Sequence, residues 1–186
     1  MRASSAPIQG TGTGILTNCL AWGTNMKFVK WLLIAALLVT IAAIGAGQAG
    51  LLAGSVPSEL GVHDGRLAPP ATTPNSVSSQ ADLHPSHPQQ AYARIAPLTY
   101  TGEAATAMKR LAQSIRPMEG ATVILDEHDY LYVQFRTRWL GFVDDAEFWL
   151  DPATRVIHVR SASRLGESDL GLNRQRIDLI RQRFNP

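Results

Sequence analysis

Four stretches with different patterns of hydrophobic and polar residues follow one another along the chain. An apolar run without any charge extends from Trp31 to Leu52, and it is long enough to cross a hydrocarbon core of about 30 Å as a helix. A polar stretch rich in proline and serine follows, and periodic patterns return near Arg94. We therefore divide the chain into residues 1–26, 27–53, 54–93 and 94–186, and predict that the last of these is the globular domain.

Residues 94–186 carry the patterns of a mixed fold. A short strand is predicted from Ile95 to Tyr100, where Pro97 favours an edge position. Four longer strands are predicted over residues 121–126, 130–138, 142–150 and 156–163. The strand at 130–138 alternates strictly, which is typical of a half-buried antiparallel strand.

Two helices complete this pattern. The first is predicted to be capped by Thr101 and stopped by Pro117, and its buried stripe contains Ala104, Met108, Leu111 and Ile115. The second begins after Ser168 or Asp169, and its buried stripe contains Asn173, Ile177, Ile180 and Phe184. The order strand, helix, four strands, helix predicts an α+β fold, in which an antiparallel sheet of about five strands carries both helices on one face.

The hairpin formed by residues 142–150 and 156–163 has only two registers that keep its apolar side chains on one face. Phe148 pairs with Val159 or with Ile157, because a shift by one residue would turn every side chain over. Arg160 then lies opposite Glu147 in the first register and opposite Asp145 in the second. Either register predicts that Arg160 meets a carboxylate on the outer face of the sheet.

The apolar run predicts a transmembrane helix or signal anchor over residues 27–53. Lys27 and Lys30 flank its N-terminal side only, which favours an N-terminus in the cytoplasm and a domain on the outer, periplasmic side of the inner membrane. Cleavage after Ala49 is the alternative, and we favour the retained helix because Leu51 and Leu52 prolong the apolar run. Residues 1–26 are interpreted as an N-terminal extension ahead of a true start at Met26.

Composition excludes several kinds of site. The formal charge of +2 is too small to indicate nucleic acid as a partner, and the single cysteine excludes an intrachain disulfide or a cysteine metal cluster. His84 and His87 lie in residues 54–93, which we interpret as a tether wrapped on the domain or hung from it, and they lack the further ligands that a metal needs. No metal and no cofactor are expected.

A polar cluster late in the chain is the candidate binding site. Arginine side chains and a helix N-terminus together suit a phosphate, a carboxylate or a lipid headgroup. The cluster consists of Asp144, Arg160, Ser161, Ser163, Arg164, Ser168, Asp169, Asn173 and Arg174. The alternative, which we favour, is a structural network of ion pairs, caps and hydrogen bonds to loop backbone.

Two carboxylates in this cluster invite a catalytic interpretation. Asp144 and Asp145 are adjacent on a strand, so they point to opposite faces and cannot act as a pair. Asp144 shares the inner face with Phe148, so we expect it to be buried beside a serine or an arginine. Arg174 lies at the positive end of the last helix, where Asp178 is its expected partner. No nucleophile elbow, phosphate loop, zinc motif or dinucleotide fingerprint occurs, so an enzyme is the less favoured interpretation.

Three blocks of sequence resemble a bacterial family called domain of unknown function 1499. They are GRLAPPATTPNSVSSQ at 65–80, GFVDDAEFWLDP at 141–152 and VIHVRSASRLGESDLGLNRQRI at 156–177. The resemblance covers roughly Leu60 to Phe184, and it implies a membrane-anchored or exported envelope protein without implying an activity. Members commonly carry two cysteines where this chain has Pro70 and Ser76, so a thiol role is absent here. Residues 74–79 are interpreted as a turn that docks the tether.

These observations predict a membrane-anchored binding or accessory module at the outer side of the cytoplasmic membrane, with an anionic ligand or lipid as its partner. Two alternatives stay open, namely an enzyme that acts on an anionic substrate through the polar cluster and a purely structural envelope protein. Unpaired arginines beside a pocket would favour binding. A deep cleft around Asp144 would favour catalysis, and a solid core with every arginine paired would favour a structural role.

Overall fold

The computed structural model describes residues 14–185, and the side chains of residues 26–185. The chain divides into two compact units, residues 1–43 and residues 44–186. Helix α1, Gly14–Gln48, crosses this boundary. The interpretation of residues 1–26 as an extension falls partly on residues 1–13, which lie outside the described residues.

One stretch of α1 could cross a membrane. The stretch Met26–Gln48 is 23 residues long and contains a window of 18 residues with a mean hydropathy of 2.3, which is compatible with a membrane anchor or a signal sequence. The predicted span of 27–53 extends past the end of the helix at Gln48, because Gly50 adopts a φ of 82° and residues 49–53 form turns. The apolar character of Leu51 and Leu52 therefore continues beyond the helix itself.

The second unit is built on an antiparallel sheet of six strands. The strands are β1 Ser76–Ser78, β2 Leu98–Thr99, β3 Ala121–Asp126, β4 Tyr130–Arg136, β5 Val143–Asp151 and β6 Val156–Ser163. Their order is β1-β6-β5-β4-β3, and β2 also pairs with β6. The α+β class is confirmed, and the sheet has one strand more than predicted because β1 lies inside the stretch that was interpreted as a tether.

The helices after α1 are α2 Gln90–Ala93, α3 Ala104–Ile115 and α4 Leu172–Phe184. Helix α3 begins after Glu103 instead of a Thr101 cap, because Gly102 takes a φ of 79° and turns the chain just before the helix. Helix α4 begins after Gly171, whose φ is 82°, so it starts later than the predicted caps Ser168 and Asp169. Both starts follow a glycine in the left-handed region, which a side chain would disfavour.

The main core lies between the sheet and the helices α3 and α4. The buried stripe of α3 and that of α4 pack against alternate residues of β4, β5 and β6. The largest fully buried members are Phe148, Phe184, Leu98, Leu111, Ile115, Leu131, Ile157, Ile177 and Ile180. Strands β5 and β6 pair Phe148 with Val159 and Glu147 with Arg160, so the first of the two predicted registers is confirmed.

Residues 54–80 cover the opposite face of the sheet. Leu67 is buried against Tyr130 and Tyr132, and its N–H donates to the side-chain oxygen of Gln80 at 2.8 Å. Strand β1 follows within the same stretch and extends the sheet beside β6. These residues therefore belong to the compact unit and wrap on the sheet, which is one of the two arrangements expected for the tether. Polar contacts and a three-residue strand hold them, and neither leaves an apolar period in the sequence.

Candidate functional site

The nine residues of the predicted cluster do not form one pocket. Alternation along β5 places Asp144 on the side of the helices and Asp145 and Glu147 on the opposite side. Alternation along β6 places Ser161 toward the helices and Arg160 away from them. The polar residues are therefore divided by the sheet, and each side has to be described separately.

On the helix side, Asn173 joins the cluster to α4. Its amide oxygen accepts a hydrogen bond from the Ser161 hydroxyl at 2.5 Å, and its amide nitrogen donates to Ser163 Oγ at 3.0 Å and to the carbonyl of Asn75 at 3.1 Å. Asn173 is fully buried. Its polar atoms are thus engaged within the fold, which is what a structural role requires.

Asp144 is buried, as expected, and its partner is Arg176. The guanidinium of Arg176 donates to Asp144 Oδ2 at 2.5 Å and to the amide oxygen of Asn173 at 2.7 Å, and it stacks over the ring of Phe135 at 4.6 Å. Arg176 lies three residues after Asn173 on α4, next to Ile177, and so it borders the buried stripe that the sequence predicts. Extending that stripe by one more position would have found it.

On the opposite side, a carboxylate, an arginine and a tyrosine form a buried group. Glu147 Oε1 accepts hydrogen bonds from the Tyr130 hydroxyl and from the N–H of Gly61, both at 2.8 Å. Arg160 lies 3.4 Å from the other carboxylate oxygen and donates to the carbonyl of Pro69 at 3.0 Å. This group therefore binds residues 61–69 onto the sheet.

A second group of the same composition lies two residues away along β5. Arg164 donates two hydrogen bonds of 2.7 Å to Asp145, and the Tyr132 hydroxyl donates to the same carboxylate at 2.5 Å. Gln134 in turn donates to the Tyr132 hydroxyl at 2.8 Å. In the sequence, Tyr130 and Tyr132 occupy the outward-facing positions of β4. This alternation is the sequence signal from which the two buried carboxylate groups could have been predicted.

The titration behaviour of these groups follows from burial. Burial, and then the neighbouring Glu147 carboxylate, raise the pKa of the Tyr130 hydroxyl. Burial and the hydrogen bond to Asp145 likewise raise the pKa of Tyr132, while that carboxylate raises the pKa of Arg164. Both tyrosines therefore stay neutral at neutral pH and donate hydrogen bonds to the carboxylates, which stabilises the fold.

The remaining predicted residues surround the start of α4. Asp169 accepts hydrogen bonds from the N–H groups of Gly171 and Asn173 and from the hydroxyl of Tyr92. Arg174 donates to the backbone carbonyls of Tyr92 and Arg94. The prediction that Asp178 is the partner of Arg174 is wrong, because Asp178 pairs with Arg181 at 2.6 Å.

Ser168 is exposed, and its hydroxyl accepts a hydrogen bond of 3.2 Å from the N–H of Leu170. It therefore takes part in neither of the buried groups.

Ser79, His158 and Asp151 lie in a row beside this cluster. Ser79 Oγ lies 3.1 Å from His158 Nδ1, and Asp151 Oδ2 lies 3.7 Å from His158 Nε2. In serine hydrolases the ring nitrogens have the opposite roles, and 3.7 Å is too long for a hydrogen bond. Ser79 Oγ also accepts the N–H of Val159 at 2.9 Å, so the row joins the end of β1 to β6.

An open groove along α4, called the arginine groove below, is lined by arginines that the predicted cluster did not include. Its volume is about 570 Å³, which is within the range of small-molecule sites. Its apolar lining consists of Met118, Phe135, Leu172 and Leu179. Its polar lining consists of Glu119, Arg136, Thr137, Arg138, Gln175, Arg176 and Arg183. The groove thus combines apolar side chains with an excess of positive charge.

The arginines of this groove differ in their contacts. Arg176 is neutralised by Asp144, and Arg136 donates to the backbone carbonyl of Gly47 at 2.9 Å. Arg138 stacks over the ring of Trp139 at 5.2 Å. Among residues 26–185, neither Arg138 nor Arg183 has a carboxylate within salt-bridge distance. These two exposed guanidinium groups are available to an anion.

Among residues 14–185, no group of three or more histidine, cysteine, aspartate or glutamate side chains could hold a metal ion.

Comparison with known proteins gives one finding. No curated protein and no solved structure matches the chain. A family model described as "Protein of unknown function (DUF1499)" matches residues 66–184, which include β1 and both of the buried carboxylate groups. This match confirms the resemblance, and the chain belongs to the DUF1499 family.

Proposed function

We propose that this chain is a membrane-anchored binding protein that holds the headgroup of an anionic phospholipid in the arginine groove. The observation that carries the proposal is the pair of exposed arginines, Arg138 and Arg183, beside the apolar lining of that groove. The predicted cluster does not carry it, since Arg160 and Arg164 are engaged in buried ion pairs.

The lining of the groove suits an amphiphile with a negative charge. A guanidinium presents planar N–H donors that match the oxygens of a phosphate, and its hydrogen bonds to an ionised group are stronger than those between neutral groups. Leu172, Leu179 and Met118 offer apolar surface to the glycerol and the first methylenes of the acyl chains. Glu119 is the one acidic side chain in the lining, so positive charge dominates.

The position of the groove in the chain supports a lipid over a soluble anion. Arg136, which lines the groove, donates to the carbonyl of Gly47 in the last turn of α1. The candidate membrane-spanning stretch ends at Gln48, the next residue. We place the domain on the outer side of the cytoplasmic membrane, because Lys27 and Lys30 precede the apolar stretch.

An enzyme acting through the polar cluster has less support. The carboxylates of Asp144, Asp145 and Glu147 are buried, and each contacts an arginine. An acid or base that works on a substrate has to reach it within hydrogen-bond distance. Buried ion pairs of this kind are typical of a structural network, and so the cluster itself favours a structural role while the groove favours binding.

Native mass spectrometry of the full chain extracted in detergent tests the proposal. We expect phosphatidylglycerol to stay bound more strongly than phosphatidylcholine, and Arg138→Ala with Arg183→Ala to weaken this binding by about tenfold or more, because two charge-assisted contacts are lost. Arg66→Ala with Arg155→Ala is the matched control, since it removes the same charge from exposed positions outside the groove.

Two results would overturn the proposal. One is the absence of any lipid adduct across a panel of anionic and zwitterionic phospholipids. The other is an equal loss of phosphatidylglycerol in the groove variant and in the control variant, which would show that net charge alone attracts the lipid.

A further inference from the structure

We propose that one end of the sheet is a lipid-contacting surface that rests on the bilayer. This surface, called the apolar rim below, consists of Trp139 and Leu140 in the β4–β5 loop and of Leu165 and Leu170 between β6 and α4. The proposal rests on the membrane anchorage by α1 proposed above, but it does not depend on a lipid in the groove.

The four side chains of the apolar rim are exposed. Trp139 is 62%, Leu140 36%, Leu165 43% and Leu170 90% exposed. Single exposed apolar residues are common, whereas several in adjacent loops mark an interaction site.

The two loops of the apolar rim are neighbours. The N–H of Arg164, the residue after β6, donates to the carbonyl of Val143, the first residue of β5, at 3.1 Å. The β4–β5 loop ends just before Val143, and the segment with Leu165 and Leu170 begins just after Arg164. The four apolar side chains therefore come from one end of the sheet.

The chain that leads out of α1 contacts the same loops. The side-chain amide of Gln48 donates to the carbonyls of Arg138 at 2.9 Å and Trp139 at 3.1 Å. A Cβ at Gly47 would lie only 2.3 Å from the carbonyl oxygen of Leu140, so the backbones approach closely there.

A further contact lies at Gly54, where a Cβ would lie 2.8 Å from Cβ of Arg164. Residues 47–54 thus bind both loops, and the candidate membrane span ends at the apolar rim.

The chemistry of the apolar rim fits the boundary between hydrocarbon and headgroups. Tryptophan is enriched at that boundary because its ring is apolar while its N–H is polar. Arg138 stacks over Trp139 and carries a positive charge beside it, which suits an anionic headgroup.

The turns at the far end of the strands differ in composition. Residues 127–129 are Glu, His and Asp, and residues 152–155 are Pro, Ala, Thr and Arg. Ile124 and Leu125 at the end of β3 are exposed, but neither turn contains a large apolar residue, and this difference between the loops supports a bilayer as the partner at the rim end.

Spin-label accessibility in the full chain tests this inference. In a Cys19→Ser background, nitroxide labels are placed at Trp139→Cys and Leu170→Cys, with vesicles of phosphatidylethanolamine and phosphatidylglycerol as the probe. We expect both labels to collide several-fold more with oxygen, which enters lipid, than with a water-soluble nickel chelate. Ala153→Cys is the control, because it lies beyond the far end of β5, about 30 Å away at 3.3 Å per residue, and its label should favour nickel.

A label at Leu37→Cys in α1 distinguishes the proposed anchorage by α1 from the proposed contact of the apolar rim with lipid. If Leu37 is reached by oxygen while Trp139 and Leu170 are reached by nickel as readily as Ala153, the apolar rim does not contact lipid and the inference is overturned. If Leu37 itself is reached by nickel, the anchorage fails first and the inference fails with it. Nanodiscs that contain one copy of the chain provide the remaining test. If the rim labels lose their protection from the nickel chelate there, a second copy of the chain covers the rim instead of lipid, and the inference is overturned.

Discussion

At the scale of single residues, the three carboxylates in the first half of β5, Asp144, Asp145 and Glu147, each contact one arginine, and each arginine comes from a different part of the chain. Arg160 lies on β6, Arg164 follows β6, and Arg176 lies on α4. An isolated buried charge is costly, so each pair is stable only while both partners remain. The pairs therefore specify how the hairpin, the following loop and the last helix come together.

We expect Asp145→Asn to lower the free energy of unfolding by about 3–5 kcal/mol, because Arg164 would stay buried without its counter-charge. Asp145 is fully buried and accepts two hydrogen bonds of 2.7 Å from Arg164. Urea unfolding in detergent, followed by tryptophan fluorescence, measures the change.

Asp178→Asn is the matched control, since its pair with Arg181 is half-exposed and its loss should cost less than about 1 kcal/mol. Equal losses of unfolding free energy in the two variants would show that burial does not set the contribution of the ion pair.

Residue patterns predicted part of this arrangement. The period of two along β5 and β6 is sufficient to place Glu147 opposite Arg160 and Asp144 on the inner face. The partner of Asp144 was left open between a serine and an arginine. The partner of Arg174 was wrong, because its contacts are backbone carbonyls of Tyr92 and Arg94 far away in sequence. Local spacing carries no information about such contacts, which depend on how loops fold over the sheet.

At the scale of elements, the start of α4 shows how a cap can lie outside the helix that it stabilises. Asp169 precedes the helix by three residues, yet its carboxylate accepts the N–H groups of Gly171 and Asn173. Burial alone would raise the pKa of Asp169, but these hydrogen bonds and that from Tyr92 outweigh burial and lower the pKa below its ordinary value of 3.8. The charged form of Asp169 therefore favours the folded state.

The depressed pKa of Asp169 predicts a pH-dependent contribution to stability. The contribution is fully present above 3.8, the pKa in the unfolded chain, and it is lost as the pH falls through the lower pKa of the folded state. We expect Asp169→Asn to lower the free energy of unfolding by about 1 kcal/mol at pH 7 and by clearly less at pH 3. Urea titrations of both chains at the two pH values measure this difference. If the two chains differ in free energy of unfolding by as much at pH 3 as at pH 7, the prediction is contradicted.

Elements long enough to show several repeats of their hydrophobic pattern were predicted well, and short elements were not. Strands β3 to β6 and the stripes of α3 and α4 follow from alternation and from helical spacing. Strand β1 has only three residues, Ser76–Ser78, and two of them are polar, so it gives no alternation to detect. It is held instead by pairing with β6 and by the contact of its last residue with Arg94.

At the scale of the whole molecule, the second compact unit has a sheet that is covered on both faces. The helices cover one face by apolar packing, which the sequence predicts. Residues 54–80 cover the other face through polar side chains, such as Glu147 receiving the N–H of Gly61 and Arg160 donating to Pro69. The sequence of this second cover is rich in proline and serine and has no helical or strand period, so its pattern left open whether it wraps on the domain or hangs from it as a tether.

The same unit also contains the end of α1, and two glycines there differ sharply in their surroundings. A Cβ at Gly47 would lie 2.3 Å from the carbonyl oxygen of Leu140, which is backbone and cannot rotate away, whereas a Cβ at Gly45 would meet nothing within 4 Å. Gly47→Ala must therefore separate the helix end from the β4–β5 loop. That separation would break the hydrogen bonds from Gln48 to the carbonyls of Arg138 and Trp139.

Gly45→Ala is the matched variant, and it should leave this contact intact while favouring the helix by about 0.5–1 kcal/mol. We expect amide hydrogen exchange in residues 137–142 to accelerate by about tenfold or more in Gly47→Ala, since the loop would lose about 1.4 kcal/mol or more of local stability. Exchange in the same residues should be unchanged in Gly45→Ala. Equal exchange in the two variants would show that the helix end does not hold the loop, and would remove the contact on which the placement of the apolar rim depends.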